Sequence, residues 1–281
     1  MKFKIIHLSE YHFSSKVFLE PHYLRFKPKF TPHNIPDSFD LQISPEPSGI
    51  SEHLDAENNL LHLCWFDGLV DKLRIKAESV VHTYENNPFG FILYPSSCFI
   101  LPFAYPDSVQ SVLRNALVYS EISEALIEYG RRIEKQSKHQ TIPFLTQLTR
   151  QIHTDFTIES RETGYAYAAD KTFQLKTGSC RDVAWMQIQL LRNMGIASRF
   201  VSGYYYIPIE NPEFELHAWI EVYLPGAGWV GFDPSNGIVA GHTHIPIASS
   251  VQFENTMPVT GTIRGSATSV LTINLSIKPL D

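Results

Sequence analysis

The chain contains only three cysteines in 281 residues, which excludes a scaffold held together by many disulfides. Cys64, Cys98 and Cys180 are widely spaced in the sequence, and an odd number of cysteines cannot all pair within one chain. We therefore expect reduced thiols and a reducing compartment, which predicts a cytoplasmic location.

Long apolar runs and an excess of basic residues are also missing. The alternating start of the chain lacks the apolar core of a signal peptide, and no apolar run could span a bilayer, so we expect no membrane association. With 23 Lys and Arg against 29 Asp and Glu, the net charge is −6, which argues against nucleic acid as a partner. No calcium-loop spacing is visible, so we expect neither a metal nor another cofactor.

The pattern of apolar residues changes along the chain and divides it into three parts. Strand-like alternation broken by prolines dominates the first part, which predicts a β-rich domain over residues 1–107. Helical periodicity begins at Ser108 and opens a mixed core over residues 108–245. The last part, residues 246–281, ends in an alternating stretch over 270–277, which we expect to pair with the amino-terminal domain.

Cys180 lies where a turn meets a helix. The preceding Gly178 and Ser179 are typical of a turn and a helix cap, and apolar residues then follow helical spacing until Gly195. Free N–H groups and the helix dipole favour an anion at this position, so the thiolate is stabilised and the N–H of Cys180 could bind an oxyanion. A buried structural cysteine is the alternative reading of this residue taken alone.

His217 and Asp233 lie on two consecutive strand-like segments joined by a glycine-rich turn. If Tyr223 pairs with Trp229, both side chains lie on one face and within reach of each other. Pairing Leu224 with Trp229 would place them on opposite faces, so we favour the first register. A thiol, an imidazole and a carboxylate brought together in this way suffice for covalent acyl transfer, which makes Cys180, His217 and Asp233 the predicted catalytic residues.

Three further residues are candidates for contacts with the substrate or the oxyanion. Gln174, six residues before the cysteine, could donate a second hydrogen bond to the oxyanion, although a polar loop residue is the default reading. Tyr204 could line a substrate groove, and Trp219 is expected to shield the histidine and the aspartate from water. His242 and His244 could be metal ligands, but no acidic residue or cysteine nearby in the sequence completes a set, which favours an ordinary loop pair and no metal site.

These motifs resemble the bacterial transglutaminase-like family, whose members are often labelled cysteine proteases. The resemblance is dense over residues 180–237, from Gly-Ser-Cys-Arg-Asp through His-Ala-Trp-Ile-Glu-Val-Tyr to Gly-Trp-Val-Gly-Phe-Asp-Pro. It is looser over residues 7–13 and 21–28, and the tail at 258–261 with its closing alternating strand fits as well. It implies an α+β fold with a papain-like core, in which a helix bearing the cysteine packs on an antiparallel sheet bearing the histidine and the aspartate. One departure is Ser-Val-Gln-Phe at 250–253, where relatives typically carry Gly-Arg-Asp-Tyr.

The expected function is hydrolysis of a peptide or protein amide through an acyl-thioester. Nothing in the triad decides whether water or an amine accepts the acyl group, so transglutaminase-type acyl transfer is the alternative. A non-catalytic binding module on the same fold is a third reading, although the triad is intact. The sequence predicts neither the physiological substrate nor the oligomeric state.

Overall fold

Sixteen strands and five α-helices make up the computed structural model, which describes residues 1–161, 164–209 and 214–280. The amino-terminal strands are β1 (Lys2–Leu19), β2 (His22–Leu24), β3 (Asn34–Ser44), β4 (Gly49–Leu54), β5 (Leu60–Trp65) and β6 (Val70–Thr83). The middle of the chain forms α1 (Asp107–Leu113), α2 (Glu124–Gln136), α3 (Thr141–Asp155), β7 (Thr157–Ile158), α4 (Ala169–Leu175), β8 (Thr177–Gly178), α5 (Cys180–Asn193), β9 (Ser198–Tyr205), β10 (His217–Leu224), β11 (Gly228–Asp233), β12 (Ile238–Val239) and β13 (His244–Ser250). The chain ends with β14 (Val259–Thr260), β15 (Ile263–Arg264) and β16 (Ser269–Leu280).

The amino-terminal strands form two antiparallel sheets that share an apolar core. One sheet has the order β15-β1-β6-β3 with β16 also paired to β1, and the other has the order β14-β2-β5-β4. Alternate residues of β1 and β6 are buried, because one face of this sheet is covered. Val17 and Leu73 from the first sheet and Leu24 and Cys64 from the second belong to one buried cluster. The predicted β-rich region is confirmed.

The carboxyl-terminal strand runs antiparallel to the start of the chain. β16 pairs with β1 from Leu280 opposite Lys2 to Ser269 opposite Phe13. Strand β16 therefore belongs to the same sheet as β1. The division of the chain at residues 107 and 245 stays a prediction, although the first α-helix begins at Asp107.

The middle of the chain is an α+β core in which α5 packs on a five-stranded antiparallel sheet of order β12-β11-β10-β9-β13. Almost every side chain of α5 is buried, because α2, α3 and α4 cover the faces that the sheet leaves open. The predicted fold class is thereby confirmed. Within the described ranges, the helices are too short or too polar to cross a membrane.

Strand β13 joins the core sheet to the amino-terminal domain. Every residue of β13 is buried, since one edge pairs with β9 and its side chains pack against the other domain. Ile245 and Ile247 share a buried cluster with Phe3 and Ile5 of β1. The ammonium group of Lys29 adds a polar link, with a 2.9 Å hydrogen bond to the hydroxyl of Ser249.

Arg192, near the end of α5, is a buried cation that donates only to backbone carbonyl oxygens. Its guanidinium reaches the carbonyls of Val118 at 2.9 Å, Ser198 at 2.9 Å and Val251 at 2.7 Å. Its side chain is 1% exposed, and burial lowers its pKa to about 10, so it remains charged at neutral pH. It ties the helix to the strand that follows it and to the loop after β13.

We expect Arg192→Met to lower the free energy of unfolding by about 3 kcal/mol or more, because three buried carbonyl groups lose their donor. Urea unfolding of the variant measures this change. Arg131→Met is the matched control, since Arg131 lies on the surface of α2 in an exposed ion pair with Glu124 and should cost less than about 0.5 kcal/mol. Equal effects of the two changes would contradict a structural role for Arg192.

Candidate active site

Cys180 is the first residue of α5, as the sequence predicts. Ser179 caps this helix, and both its N–H and its hydroxyl donate to Oδ2 of Asp182 at 2.7 Å. The other oxygen of Asp182 accepts from the N–H of Tyr167 at 2.7 Å and from Arg161 at 2.6 Å. Burial alone would raise the pKa of Asp182, but these hydrogen bonds lower it. Asp182 therefore holds the start of the helix, and with it the thiol, in place.

His217 begins β10 and Asp233 ends β11, and these strands are adjacent. Tyr223 pairs with Trp229 and Leu224 with Gly228, which confirms the favoured register. Nε2 of His217 lies 2.8 Å from Oδ2 of Asp233, and the aspartate is fully buried while the histidine is 13% exposed. The strand alternation thus turns the imidazole towards the cleft with the carboxylate behind it.

The carboxylate of Asp233 is held by neighbours on its own turn as well as by His217. Oδ1 accepts from the N–H and the hydroxyl of Ser235, at 3.1 and 2.6 Å, and from the N–H of Asn236 at 3.2 Å. Oδ2 accepts from the side-chain amide of Asn236 at 2.8 Å. A second histidine, His244, also reaches Oδ2, with Nε2 at 3.1 Å. The buried charge is therefore compensated by several donors.

The pKa values of the pair follow from this arrangement. Burial alone would lower the pKa of His217, but the charge and hydrogen bond of Asp233, together with the hydrogen bond of Cys180, raise it to about 10. Burial opposes ionisation of Asp233, yet the charge and hydrogen bond of His217 and the hydrogen bond of His244 hold its pKa well below its usual value. At neutral pH the pair is therefore an imidazolium and a carboxylate.

Cys180 and His217 line the same open cleft, whose volume is about 400 Å³. The thiol contributes to the raised pKa of the His217 imidazole, which places the two groups in electrostatic contact at this cleft. Because Nε2 is turned to Asp233, Nδ1 is the ring nitrogen left for the thiol. The lining of the cleft mixes apolar, polar and charged side chains. It comprises Ile158, Glu159, Ser160, Arg161, Ser179, Cys180, Arg181, Tyr205, Ile207, Phe214, Glu215, Leu216, His217, Ser235 and Asn236.

The structure does not bring the other predicted site residues to the cleft surface. Gln174 is exposed on α4 and is absent from the cleft lining, so its place in the fold does not support the predicted oxyanion role. Tyr204 is 1% exposed, and its hydroxyl lies 3.2 Å from Nδ1 of His7 in the contact with the amino-terminal domain. The neighbouring residue Tyr205 lines the cleft in place of Tyr204, because successive strand residues point to opposite faces.

Trp219 packs against His217 and is not part of the described cleft lining. It is 2% exposed, and its indole stacks against the imidazole of His217 with centroids 6.1 Å apart and planes at 28°. A side chain so deeply buried covers one face of the imidazole and has little surface available for direct contact with a substrate.

His244 is the site residue that sequence reasoning passed over. The structure corrects its placement in a loop, because His244 begins β13 and is 3% exposed. The fold also brings to His244 the acidic residue that is missing from its neighbourhood in the sequence. Potential metal-ligand atoms of His217, Asp233 and His244 all lie within 4.8 Å of one another. The signal available in the sequence was the alternating apolar stretch after His244, which is typical of a buried strand.

Residues 250–253, where the sequence differs from the typical family pattern, are not part of the described cleft lining. Ser250 accepts hydrogen bonds from Gln252 and Asn255 within its own turn. Phe253 packs edge-on against Trp185 of α5, with ring centroids 5.0 Å apart. The segment therefore fills the core beside the helix.

The core defines a class of protein. Residues 127–234, which include the thiol, the imidazole and the carboxylate, belong to the transglutaminase-like superfamily. Residues 3–82 match the bacterial transglutaminase-like N-terminal region. The chain is thus a transglutaminase-like protein of the bacterial type, with the core and the amino-terminal domain that its sequence motifs indicate.

Three comparisons place this chain among known proteins. It is 24% identical to an uncharacterized protein, Rv2569c, of Mycobacterium tuberculosis (strain ATCC 25618 / H37Rv), over all of this chain and 93% of the relative. It is 32% identical over 88 residues to a protein-glutamine gamma-glutamyltransferase of Pseudomonas aeruginosa, covering 28% of this chain and 13% of that protein. The crystal structure of a "Putative Cysteine Protease" from Cytophaga hutchinsonii has the same fold, with a TM-score of 0.73, 20% identity, and coverage of 100% of this chain and 92% of that one.

Proposed function

We propose that this protein is a cysteine-dependent amidase or protease that works through an acyl-thioester intermediate. The observation that carries the proposal is the imidazole of His217, which lines the same cleft as the thiol of Cys180 and is hydrogen-bonded to the buried carboxylate of Asp233 behind it. Three groups so arranged are the parts that thiol acyl transfer requires. The superfamily match and the fold of the related structure support it.

The reaction begins from a thiolate on Cys180 and an imidazolium on His217. The thiolate attacks the amide carbonyl carbon, so that a C–S bond forms and the carbonyl electrons move to oxygen. The N–H of Cys180, at the helix start where backbone donors lack partners within the helix, is placed to bind this oxyanion. When the C–N bond breaks, Nδ1 of His217 gives its proton to the departing amine, and a thioester remains.

Hydrolysis of the thioester reverses the role of the imidazole. His217, now neutral, takes a proton from water as the water oxygen attacks the carbonyl carbon. The C–S bond then breaks, the carboxylic acid leaves, and the thiolate and imidazolium are restored. Asp233 stabilises the positive ring in both halves of the cycle, which is why its charge must persist in the buried site.

An amine in place of water would make the same intermediate a transglutaminase intermediate. The observation that favours this second candidate is the match to a segment of the Pseudomonas protein-glutamine gamma-glutamyltransferase. We favour hydrolysis, because water needs no dedicated acceptor site. A library of quenched peptides and glutamine-containing peptides, assayed with and without a primary amine, tests both candidates. Hydrolysed products without amine support the amidase, amine-linked products alone support the transglutaminase, and no product at all would contradict both.

The reactive thiol can be tested without knowing the substrate. Burial raises the pKa of Cys64 to about 11 and also raises that of Cys98, so both should resist alkylation. Cys180 is partly exposed in the cleft. Mass spectrometry after brief treatment with iodoacetamide should find the label on Cys180 alone. Labelling of the two buried cysteines at an equal rate would support the non-catalytic binding module. Because the three cysteines are odd in number and widely spaced in the sequence, we propose a reducing, cytoplasmic location.

The pH dependence of alkylation should depend on the charge of the reagent. Negatively charged iodoacetate is attracted by the His217 imidazolium, so its rate relative to that of neutral iodoacetamide should fall as His217 loses its proton near pH 10. Neutral iodoacetamide has no charge for the imidazolium to attract and should show no such fall. Inactivation rates from about pH 4 to pH 11 measure both curves. Iodoacetate labelling that shows no fall near pH 10 would contradict an imidazolium beside the thiol.

A further inference from the structure

We propose that His244 is a positioning residue of the active site, which donates from Nε2 to Asp233 and so fixes the carboxylate oxygen that His217 uses. This inference rests on the proposed function of the cleft, but it assigns a fourth residue that neither the triad nor the comparisons include. Its basis is the shared oxygen: Oδ2 of Asp233 lies 2.8 Å from Nε2 of His217 and 3.1 Å from Nε2 of His244.

The hydrogen bonds around His244 determine where its proton lies. The backbone N–H of Gly241 donates to Nδ1 of His244 at 3.2 Å. Nδ1 must therefore carry a lone pair, and the proton of the neutral ring must be on Nε2, facing Asp233. A second proton would set two donors against each other at Nδ1. The turn before β13 thus imposes one tautomer on the ring.

The surroundings of His244 keep the ring neutral and immobile. Burial lowers its pKa, against the opposing effect of Asp233, while the nearby His217 and His242 lower it further. The ring of Tyr205 lies 4.4 Å away and that of Trp219 lies 5.2 Å away, centroid to centroid. No rearrangement is needed for the bond to Asp233, because β13 already holds the ring there.

Oδ2 of Asp233 is therefore hydrogen-bonded to two imidazoles that have different roles. His217 is charged and titrates with the reaction, whereas His244 is neutral and serves only as a donor. The same two rings contact Tyr205 in the cleft wall, at 5.3 Å from His217 and 4.4 Å from His244. The backbone carbonyl of His244 accepts from Asn34 at 3.4 Å, which connects this support to the amino-terminal domain.

A metal ion held by the two histidines and Asp233 is the competing use of the same atoms. Metal binding needs a lone pair on Nε2 of His244, which requires the proton to move to Nδ1. The N–H of Gly241 points at Nδ1 and opposes that tautomer. Oδ2 also accepts from the side-chain amide of Asn236 at 2.8 Å, a hydrogen bond that would compete with a cation for the lone pairs of this oxygen. The hydrogen-bonded arrangement is therefore the one the geometry favours.

The test compares three variants by the rate of Cys180 inactivation and by turnover. His244→Phe keeps an aromatic ring but removes the donor, and should lower both rates about tenfold with KM unchanged, as expected for one lost hydrogen bond to a charged group. His244→Gln retains a donor near the position of Nε2 and should restore most of the rate. His242→Gln, two residues away and only partly buried, is the matched control and should behave as the wild type. Thermal unfolding of each variant separates loss of rate from loss of fold.

Nuclear magnetic resonance of the protein labelled with ¹⁵N-histidine gives a readout that does not depend on activity. At neutral pH His244 should be a neutral Nε2–H ring, while His217 should be protonated. A His244 ring with its proton on Nδ1, or one shifted by added Zn²⁺, would overturn the proposal in favour of a metal site. If Cys180 proves unreactive but the tautomer is as stated, the catalytic proposal fails and the positioning of Asp233 stands. Equal rates for His244→Phe and the wild type would overturn the positioning role.

Discussion

Turnover by the Cys180→Ala variant is expected to fall to background, a loss on the order of 10⁶-fold, because no other group in the cleft can form the thioester. The fold should persist, since the substitution removes one sulfur atom from a partly exposed position. Product formation measured on the best substrate from the peptide library, with circular dichroism and thermal unfolding of the same sample, checks both parts.

Cys64→Ala is the matched control for this loss. Cys64 is fully buried in the amino-terminal domain, in the cluster that joins its two sheets. Its replacement should lower stability by about 1 kcal/mol through a small cavity and leave the rate per folded molecule unchanged. Residual turnover in Cys180→Ala at even a hundredth of the wild-type rate would show that the thiol is not the nucleophile.

The second large effect is expected from Asp233→Asn, which should reduce turnover by roughly 10³–10⁴-fold. The amide keeps the shape of the carboxylate but removes the charge that stabilises the imidazolium of His217. Its NH₂ group can also present a donor where His217 needs an acceptor, which favours the wrong tautomer. The residual rate should exceed that of Cys180→Ala, because the nucleophile remains. Equal, mild losses in the two variants would contradict the assigned roles.

The same substitution should alter the pH dependence of stability. In the native protein His217 holds its proton up to about pH 10, whereas an ordinary histidine loses it near 6.5, so the native state binds the proton more tightly than the unfolded chain. The resulting stabilisation is complete below pH 6.5 and is lost as the pH rises towards 10. Without the Asp233 charge this window should close. Urea unfolding at intervals from about pH 6 to pH 10 therefore should show a steeper loss of stability for the wild type than for the variant.

Asp182→Asn distinguishes a catalytic carboxylate from a structural one. Asp182 is also fully buried and lies two residues from Cys180, but its partners are Ser179, Tyr167 and Arg161 rather than a histidine. Its substitution should lower stability and leave the alkaline fall of iodoacetate labelling near pH 10 unchanged, since His217 keeps its partner. A shift of that fall in Asp182→Asn equal to the shift in Asp233→Asn would remove the distinction.

Local signals were sufficient to predict the elements that carry the triad. The cap at Ser179 marks the start of α5, because it satisfies free backbone donors of the first turn. Gly195 marks the end, because glycine readily adopts the positive φ found there. The register of β10 and β11 was predictable for a similar reason. A slip of one residue would have moved His217 and Asp233 to opposite faces.

The faces of strand β9 could not be assigned from sequence. Six of its eight residues are buried and the other two are half-buried, so polarity does not mark which face meets the cleft. Tyr204 and Tyr205 are therefore equivalent in the sequence, and only the packing of the amino-terminal domain around His7 selects Tyr204 for the interior. The oxyanion role predicted for Gln174 finds no support in the fold, because its side chain is exposed on α4.

The sequence alone determined the helix that presents Cys180 and the hairpin that presents His217 and Asp233, because each depends on contacts between residues close along the chain. The class of fold followed from the resemblance of these motifs to a known family. Tertiary structure alone decided that His244 reaches the same carboxylate. That contact exists because β13 pairs with β9 and is covered by the amino-terminal domain, whose strands begin some two hundred residues earlier. Burial by a distant part of the chain leaves no local pattern from which the role of a single histidine could be read.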